Sequence, residues 1–277
     1  MATTRFQAEV LKLIASARVA NGASYIAGGL ALNHQLGRPR ISSDIDVFND
    51  GREALAKAAE SDIAVLESAG YELKKNREAT YMVCATVSRG DEKTDIQWVV
   101  DSAYRFFPLV IDELLGYTLH PFDLATNKLL ALEGRRFPRD WVDMISCCES
   151  IQPLAYLVWA ANGKDQGITP FYLLEIAAQV HYSKVEFERA IKTEEKLDGA
   201  ELSRQWRRMI AEARRTLTLL PPEEAGKAVL DKEGRLFRGS DEELAMALDK
   251  GEIIFHEGTI RGAWPTVVEP APEGESV

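Results

Sequence analysis

The sequence predicts an α/β fold: a small mixed sheet followed by a helical region. Through residue 115, segments with helical apolar spacing alternate with short segments typical of strands. From Pro121 onward, the long periodic segments have helical spacing. A Gly-Gly pair ends the first strand-like segment, and two aspartates lie two residues apart on the second. These three observations place a sheet-based core before a largely helical part of the chain.

Apolar spacing and glycine positions define the elements of the first region. Phe6, Val10 and Ile14 lie on one side of the first predicted helix, and Gly37 and Gly70 follow later helices as end signals. The predicted helices are residues 5–20, 30–36 and 51–69. The predicted strands are residues 24–27, 41–48, 71–74, 80–87 and 93–100.

The rest of the chain predicts a helical domain and a mixed, acidic end. The helices of the second region are predicted at residues 122–133, 139–150, 153–162, 170–180 and 199–219. A Pro221-Pro222 pair ends this region. The remainder is predicted as a helix at 240–250, strand-like residues at 252–267 and a disordered acidic end at 269–277. We therefore predict three parts: residues 1–118, 119–222 and 223–277.

Composition restricts the class of protein. The chain has 277 residues, of which 46% are hydrophobic and 27% charged, which is typical of globular proteins. It contains no apolar run long enough to span a bilayer, and its polar beginning does not resemble a signal peptide. Three cysteines give no disulfide framework. We expect a cytoplasmic protein without a membrane partner.

The net charge of −10 is unevenly distributed. Residues 221–277 carry 6 basic and 13 acidic residues, a net charge of −7. The remainder of the chain is therefore nearly neutral, which leaves room for a local basic surface that binds an anionic substrate.

The segment from Tyr25 to Phe48 contains the main chemical signal. Gly28-Gly29 lies between a strand and a helix, where backbone N–H groups can approach a phosphate. Asp44 and Asp46 lie two residues apart on the following strand, so their carboxylates point to the same face. A divalent cation such as Mg²⁺ (or Mn²⁺) relieves the repulsion between two such carboxylates.

Asp95 is the candidate for a third acidic group. It lies on a later predicted strand among apolar residues, where a carboxylate needs a partner. Each signal alone has a simpler explanation: a Gly-Gly turn, a solvated Asp-x-Asp strand end and a structurally paired acid. Their order along the chain favours a metal-dependent phosphate site.

This order resembles the DNA polymerase β-like nucleotidyltransferase superfamily. The segment Arg40-Ile-Ser-Ser-Asp-Ile-Asp46 and the Asp-Leu-Ala-x-x-Lys … Arg … Arg-Asp-x-x-Asp pattern of residues 123–143 are similar to signatures of the AbiEii/AbiGii nucleotidyltransferase toxin family. The resemblance covers about residues 24–145. It implies a polymerase β-like core and transfer of a nucleoside monophosphate from an NTP to an acceptor hydroxyl.

The resemblance also implies roles for individual residues. Asp44, Asp46 and Asp95 would be the catalytic and metal-binding residues. Gly28, Gly29, Lys128 and Asp143 would bind the nucleotide, with Arg139 and Asp140 in support. Many superfamily members have a hydroxyl residue after the glycine pair, whereas this chain has Leu30. Ser42 or Ser43 is the candidate to replace that contact. Without the family, Lys128 is read as a surface lysine and residues 139–143 as a salt-bridge cluster.

The predicted helix 199–219 carries a possible RNA face. Its apolar residues form one side, and five arginines cluster on the other. These are Arg204, Arg207, Arg208, Arg214 and Arg215. Such a stripe suits a phosphodiester backbone. The alternative is a solvated face paired with nearby acids such as Glu201 and Glu212.

The sequence therefore predicts an Mg²⁺-dependent nucleotidyltransferase. The family resemblance implies a toxin that acts on RNA such as tRNA and is neutralised by a separately encoded antitoxin. Two alternatives stay open at this point. One is transfer to a small molecule, such as an antibiotic hydroxyl. The other is a nucleotide-binding or interaction module without catalysis, which Leu30 favours.

Overall fold

The structure is a computed structural model that describes residues 3–21, 23–38, 40–191 and 197–266. The predicted acidic end at 269–277 lies outside the described residues. The helices within the described residues, α1 to α10, are Arg5–Asn21, Gly28–Gln35, Arg52–Ser68, Pro121–Arg135, Pro138–Ser150, Leu154–Lys164, Pro170–Ala178, Lys184–Ala190, Gly199–Leu217 and Asp241–Asp249. The strands there, β1 to β11, are Ser24–Ala27, Asp44–Asn49, Glu72–Ala79, Met82–Arg89, Glu92–Val100, Tyr104–Arg105, Val110–Asp112, Gly116–Thr118, Ala228–Leu230, Ile254–His256 and Thr259–Ile260.

A seven-stranded mixed sheet forms the centre of the fold. Its strand order is β3-β4-β5-β2-β1-β8-β7. The pairs β2–β5 and β1–β8 are parallel, and the other neighbouring pairs are antiparallel. On β2, Ile45 and Val47 are fully buried, whereas Asp44, Asp46 and Phe48 on the alternate face are only partly buried. This alternation keeps one face for the core and leaves the other for polar side chains.

Helices α1 and α3 pack against the apolar face of the sheet. Both contact β1 and β5 as well as each other. Trp98 of β5 is fully buried beneath them, and its indole N–H donates to Asp62 of α3 at 2.7 Å. Helix α2 leaves the end of β1 and contacts α4 and α5, which connects the sheet to the helical region.

The helical region packs around α6, whose residues from Leu154 to Ala161 are all buried. Helix α6 contacts α4, α7 and α9. Asp123 of α4 ties this region to the sheet. It accepts hydrogen bonds from the backbone N–H groups of Phe106 (2.9 Å) and Phe107 (3.0 Å) and pairs with Lys164 at 2.9 Å.

The described part of the acidic C-terminal segment folds back on the rest of the protein. Strands β9 and β10 pair, and β9 contacts α6. Gln152 holds β9 and the segment that follows it by donating to the carbonyl groups of Val229 and Phe237, each at 2.8 Å. Strand β11 pairs with β6, a segment about 155 residues earlier in the chain. None of the described helices has the length and apolar character needed to cross a membrane.

The predicted α/β fold class is confirmed, with differences in detail. Strands β6 to β9 and helix α8 are not predicted from the sequence. These four strands have two or three residues each, too few for a recognisable alternation. The predicted strand 41–48 begins only at Asp44, and the strand-like residues 252–267 contain two short strands, β10 and β11. Tertiary pairing, which a local pattern does not contain, determines these limits.

Candidate active site

Asp44 and Asp46 lie on the polar face of β2, beside the start of α2. The carboxylate of Asp44 accepts hydrogen bonds from Ser43 at 2.8 Å and from Gln97 at 3.2 Å. These two hydrogen bonds hold the Asp44 carboxylate in position. Burial, followed by the negative charge of Asp44, raises the pKa of Asp46 to about 6. Strand β2 thus carries two neighbouring carboxylates, and the folded protein disfavours the ionised form of Asp46.

Asp95 lies directly beside Asp44. The parallel register of β2 and β5 pairs Asp44 with Asp95, and Asp46 with Gln97. Asp95 is exposed and accepts a hydrogen bond from the Thr86 hydroxyl at 2.6 Å. The register therefore brings the three predicted acids to one patch of the sheet.

The glycine pair is packed against this patch. Gly28 has a φ of +69°, and a Cβ added to it would overlap the carboxylate of Asp46, whose Cγ lies 2.7 Å away. A Cβ on Gly29 would lie 2.7 Å from the Arg40 guanidinium and 3.6 Å from the Ser42 hydroxyl. Leu30 is fully buried, so Ser42 is the hydroxyl that lies beside the turn. The first N–H groups of a helix have no partner within it, which suits them to bind phosphate.

We expect Gly28→Ala to damage both stability and the site. A left-handed backbone costs a non-glycine residue about 1–2 kcal/mol, and the new methyl group must displace the Asp46 carboxylate. Gly90→Ala is the matched control, because Gly90 has a similar φ of +61° and no atom within 4 Å of an added Cβ. Urea denaturation should show a larger loss of stability at position 28 than at position 90. Equal losses would contradict the close packing described here.

A buried network of ion pairs connects α4 and α5 to the glycine turn. Lys128 contacts Asp140 at 2.9 Å and Asp143 at 3.1 Å. Arg40 binds both oxygens of Asp143 at 2.7 Å, and Arg135 binds Asp140 at 2.7 and 3.0 Å. Burial disfavours the charged Lys128, but Asp143 and Asp140 outweigh it and raise the pKa of this lysine. Three cations and two carboxylates leave the network with one net positive charge.

Asn33 completes the connection. Its side-chain amide donates to the Gly29 carbonyl at 2.7 Å and to Asp143 at 3.1 Å. Asp143 is only 1% exposed. It therefore positions Arg40, Lys128 and the glycine turn rather than presenting its own oxygens to a ligand.

Lys128 and Arg135 of the buried network face Asp46 and the glycine turn across a cleft of about 260 Å³. The polar side chains of Gln97 and Asn127 also line this cleft. Its other lining residues are apolar: Phe48, Met82, Val99, Leu124 and Ala131. A carboxylate on one wall and two cations on the other suit a ligand that combines a divalent cation with phosphate groups.

The carboxylates of Asp44 and Asp46 suit part of the ligand set of an Mg²⁺ ion. Among the described residues, no group of three or more His, Cys, Asp or Glu side chains is arranged to hold a metal. Mg²⁺ commonly binds one or two carboxylates and completes its shell with water and substrate phosphates. Asp44 and Asp46 could provide such a pair, and a bound cation would offset the burial and the Asp44 charge that together raise the pKa of Asp46.

Comparison with known proteins identifies the fold. No protein-family model and no curated protein matches the sequence. Among solved structures, MenT4, a nucleotidyltransferase toxin from Mycobacterium tuberculosis H37Rv, superposes with a TM-score of 0.54 at 14% identity and covers 78% of this chain and 83% of its own. JHP933 from Helicobacter pylori gives a TM-score of 0.51 at 14% identity and covers 78% and 95%. The chain has a nucleotidyltransferase fold.

Within the nucleotidyltransferase fold, two residues of the buried network were missed as site residues by the sequence analysis. Arg40 belongs to the motif of residues 40–46 but has no predicted role, and no sequence pattern singles out Asn33. Both are more than 90% buried and contact Asp143. A buried arginine or asparagine requires partners, but the sequence does not say which carboxylate provides them. Only the fold brings α2 and α5 together.

The arginines of α9 are largely paired on the surface of this nucleotidyltransferase fold. Arg204 and Arg208 pair with Glu201 at 2.6 and 3.7 Å. Arg214 pairs with Glu175 at 2.9 Å, and Arg215 with Asp241 at 3.3 Å. Four of the five arginines of the predicted RNA face are therefore compensated by carboxylates. The RNA face on α9 stays a prediction.

Proposed function

We propose that this protein is an Mg²⁺-dependent nucleotidyltransferase that moves a nucleoside monophosphate from an NTP to an acceptor hydroxyl and releases pyrophosphate. One observation carries the proposal. In a nucleotidyltransferase fold, Asp44 and Asp46 lie two residues apart on one strand, Asp46 packs against the Gly28-Gly29 turn, and Lys128 faces Asp46 across the cleft. This arrangement brings metal ligands, phosphate-binding amides and a cation within reach of one triphosphate.

Each part of the site has a role in this proposal. Asp44 and Asp46 would hold the divalent cation, which when bound stabilises charge on the attacking and leaving oxygens. The Gly28-Gly29 amides, the Ser42 hydroxyl and Lys128 would bind the phosphates. Asp143 would keep Lys128 and the turn in position through its contacts with Arg40 and Asn33. Asp95, exposed beside Asp44, would accept the proton of the acceptor hydroxyl.

The acceptor is proposed to be RNA, such as tRNA, and the protein to be a toxin neutralised by a separately encoded antitoxin. The two sequence motifs support this proposal, as does the likeness of fold to a nucleotidyltransferase toxin. The cytoplasm is the expected compartment for such a substrate.

The proposed activity can be tested with purified protein, Mg²⁺ and each α-phosphate-labelled NTP in turn. Total RNA and a small-molecule extract serve as acceptors. Label in tRNA-sized RNA, dependent on Asp46, is the expected result. Label found only in small molecules would replace the RNA acceptor with a small one. Nucleotide binding without transfer to either acceptor would contradict the proposed enzyme.

An Asp95→Asn variant should separate catalysis from nucleotide binding. Because Asp95 is exposed and lies outside the set of residues that line the cleft, its loss should leave NTP affinity nearly unchanged. Loss of a general base typically lowers the rate roughly 100- to 10,000-fold. Transfer rate and NTP dissociation constant are the two measurements. Thr86→Val, which keeps the Asp95 carboxylate but removes the hydroxyl that donates to it and accepts from Asn76, should have a smaller effect. An unchanged rate in Asp95→Asn would remove this residue from the mechanism.

A further inference from the structure

The connection between α4 and α5 exposes an aromatic ring among arginines. We call Arg135, Arg136, Phe137 and Arg139 the arginine rim. The Phe137 residue is 45% exposed. The guanidinium carbons of Arg135 and Arg139 lie 5.4 and 5.2 Å from the centroid of its ring. An exposed aromatic ring beside several arginines is typical of surfaces on which single-stranded nucleic acids stack.

The arginine rim lies at the edge of the catalytic cleft. Arg135 lines that cleft together with Gly28 and Asp46. On the other side, Arg136 lines a shallow depression of about 280 Å³ together with Tyr182, Glu186 and Arg189. A strand whose terminal hydroxyl reaches the cleft could therefore cross the rim and continue into this depression.

The positive charge of the rim is less compensated than that of α9. Arg135 shares Asp140 with Lys128. Within the described residues, the guanidinium groups of Arg136 and Arg139 form no ion pair with a carboxylate. Unpaired guanidinium groups are free to bind phosphates without first breaking an existing contact. The local charge thus favours the rim over α9, despite the acidic net charge of the chain.

The backbone of the arginine rim is held in place before any ligand binds. Arg136 has a φ of +49°, its N–H donates to Leu132 at 3.1 Å, and its carbonyl accepts from the Tyr182 hydroxyl at 2.8 Å. The carbonyl of Phe137 accepts a hydrogen bond from the backbone N–H of Asp140 at 3.0 Å. A preorganised segment loses little conformational entropy on binding.

We propose that the arginine rim binds the acceptor as single-stranded RNA, with a base stacked on Phe137 and phosphates bound by Arg136 and Arg139. The inference rests on the proposed function for the identity of the acceptor. It adds the surface on which that acceptor is recognised and places this surface on the α4–α5 connection.

Binding can be measured without NTP, so that it does not depend on turnover. The probe is a fluorescein-labelled, unstructured 12-nucleotide RNA, followed by fluorescence anisotropy at several salt concentrations. Phe137→Ala should weaken binding roughly 5- to 100-fold with little change in salt dependence. Arg136→Gln/Arg139→Gln should weaken it roughly 10- to 30-fold at 0.1 M salt and reduce the salt slope by about 1.4.

The control is Lys232→Gln/Arg235→Gln, which removes the same charge from exposed residues outside the cleft and the rim. It should bind the RNA like the wild type. A DNA probe of the same sequence shows whether the 2′-hydroxyl contributes, and weaker DNA binding is expected. Full binding by the rim variants would overturn the inference, as would losses confined to Arg204→Gln/Arg208→Gln or no RNA binding by the wild type. Rim-dependent binding without nucleotide transfer would instead overturn only the proposed function.

Discussion

An Asp46→Asn variant is expected to lose nucleotide transfer and also to become more stable than the wild type in metal-free solution at neutral pH. The loss of activity follows from the loss of one of two carboxylates beside the glycine turn, and we expect a decrease of at least roughly 100- to 1,000-fold. The gain in stability follows from the pKa of Asp46, which burial and Asp44 raise to about 6.

The direction of the stability change depends on pH. The folded-state pKa of Asp46 lies above its ordinary value of 3.8, so the folded protein favours the protonated form. This contribution is fully present below about pH 3.8 and is lost as the pH rises through about 6. A shift of about two units corresponds to about 3 kcal/mol, and the neutral asparagine should recover up to that amount at pH 7.5.

Urea denaturation of both proteins between pH 4 and 8 measures this difference in the free energy of unfolding. The curves should converge at low pH, diverge between about pH 4 and pH 6, and differ by a constant amount above pH 6. Asp91→Asn, at an exposed turn position, should follow the wild type throughout. Added Mg²⁺ should stabilise the wild type more than Asp46→Asn. A variant that is less stable than the wild type at pH 7.5 would show that Asp46 contributes favourable contacts beyond the charge described here.

A Lys128→Met variant should be strongly destabilised. Lys128 is about 6% exposed and pairs with Asp140 and Asp143, both at most 1% exposed. Its removal takes a charged hydrogen-bond donor from two buried carboxylates, which among the described residues keep only Arg135 and Arg40 as cationic partners, and the expected loss is about 2–3 kcal/mol. The free energy of unfolding from urea denaturation measures this loss. The KM for NTP should rise as well, since the cleft loses a cation.

The double variant Lys128→Met/Asp140→Asn separates the structural effect from the functional one. It removes a carboxylate along with the lysine, so part of the lost stability should return. The cation facing Asp46 is still missing, so the KM for NTP should remain high. If stability and NTP affinity returned together, Lys128 would act only on the fold, and its proposed contact with the triphosphate would be wrong.

The sequence predicted the elements that carry the acidic patch because their signals are local. Gly28-Gly29 between strand and helix, and the alternation of Asp44 and Asp46, depend only on neighbouring residues. Asp95 was predicted from its position on a later strand, but its pairing with Asp44 required the parallel register of β2 and β5. A register between strands separated by about 50 residues is not contained in the periodicity of either one.

The partners within the buried network could not be predicted from the sequence. In the sequence, Lys128 lies on a predicted helix among apolar residues. That pattern is also typical of a surface lysine whose aliphatic stem covers apolar side chains. The structure instead buries it between two aspartates one helical turn apart on α5. Arg40 and Asn33 reach Asp143 from segments more than 100 residues away. These partners depend on the packing of α2 against α5, which local patterns do not specify.

The pairing of β11 with β6 has a consequence for the order in which the protein can fold. Tyr104 and Arg105 are synthesised about 155 residues before their partners Thr259 and Ile260. The β9–β10 strand pair, whose β9 contacts α6, is completed only when β10 has been synthesised. Contacts that close such long loops form slowly, and a ribosome delivers their C-terminal halves last. The emerging chain therefore exposes the apolar surface of α6 and the β6 edge until residues 254–260 have been synthesised, an interval in which chaperones have access to them.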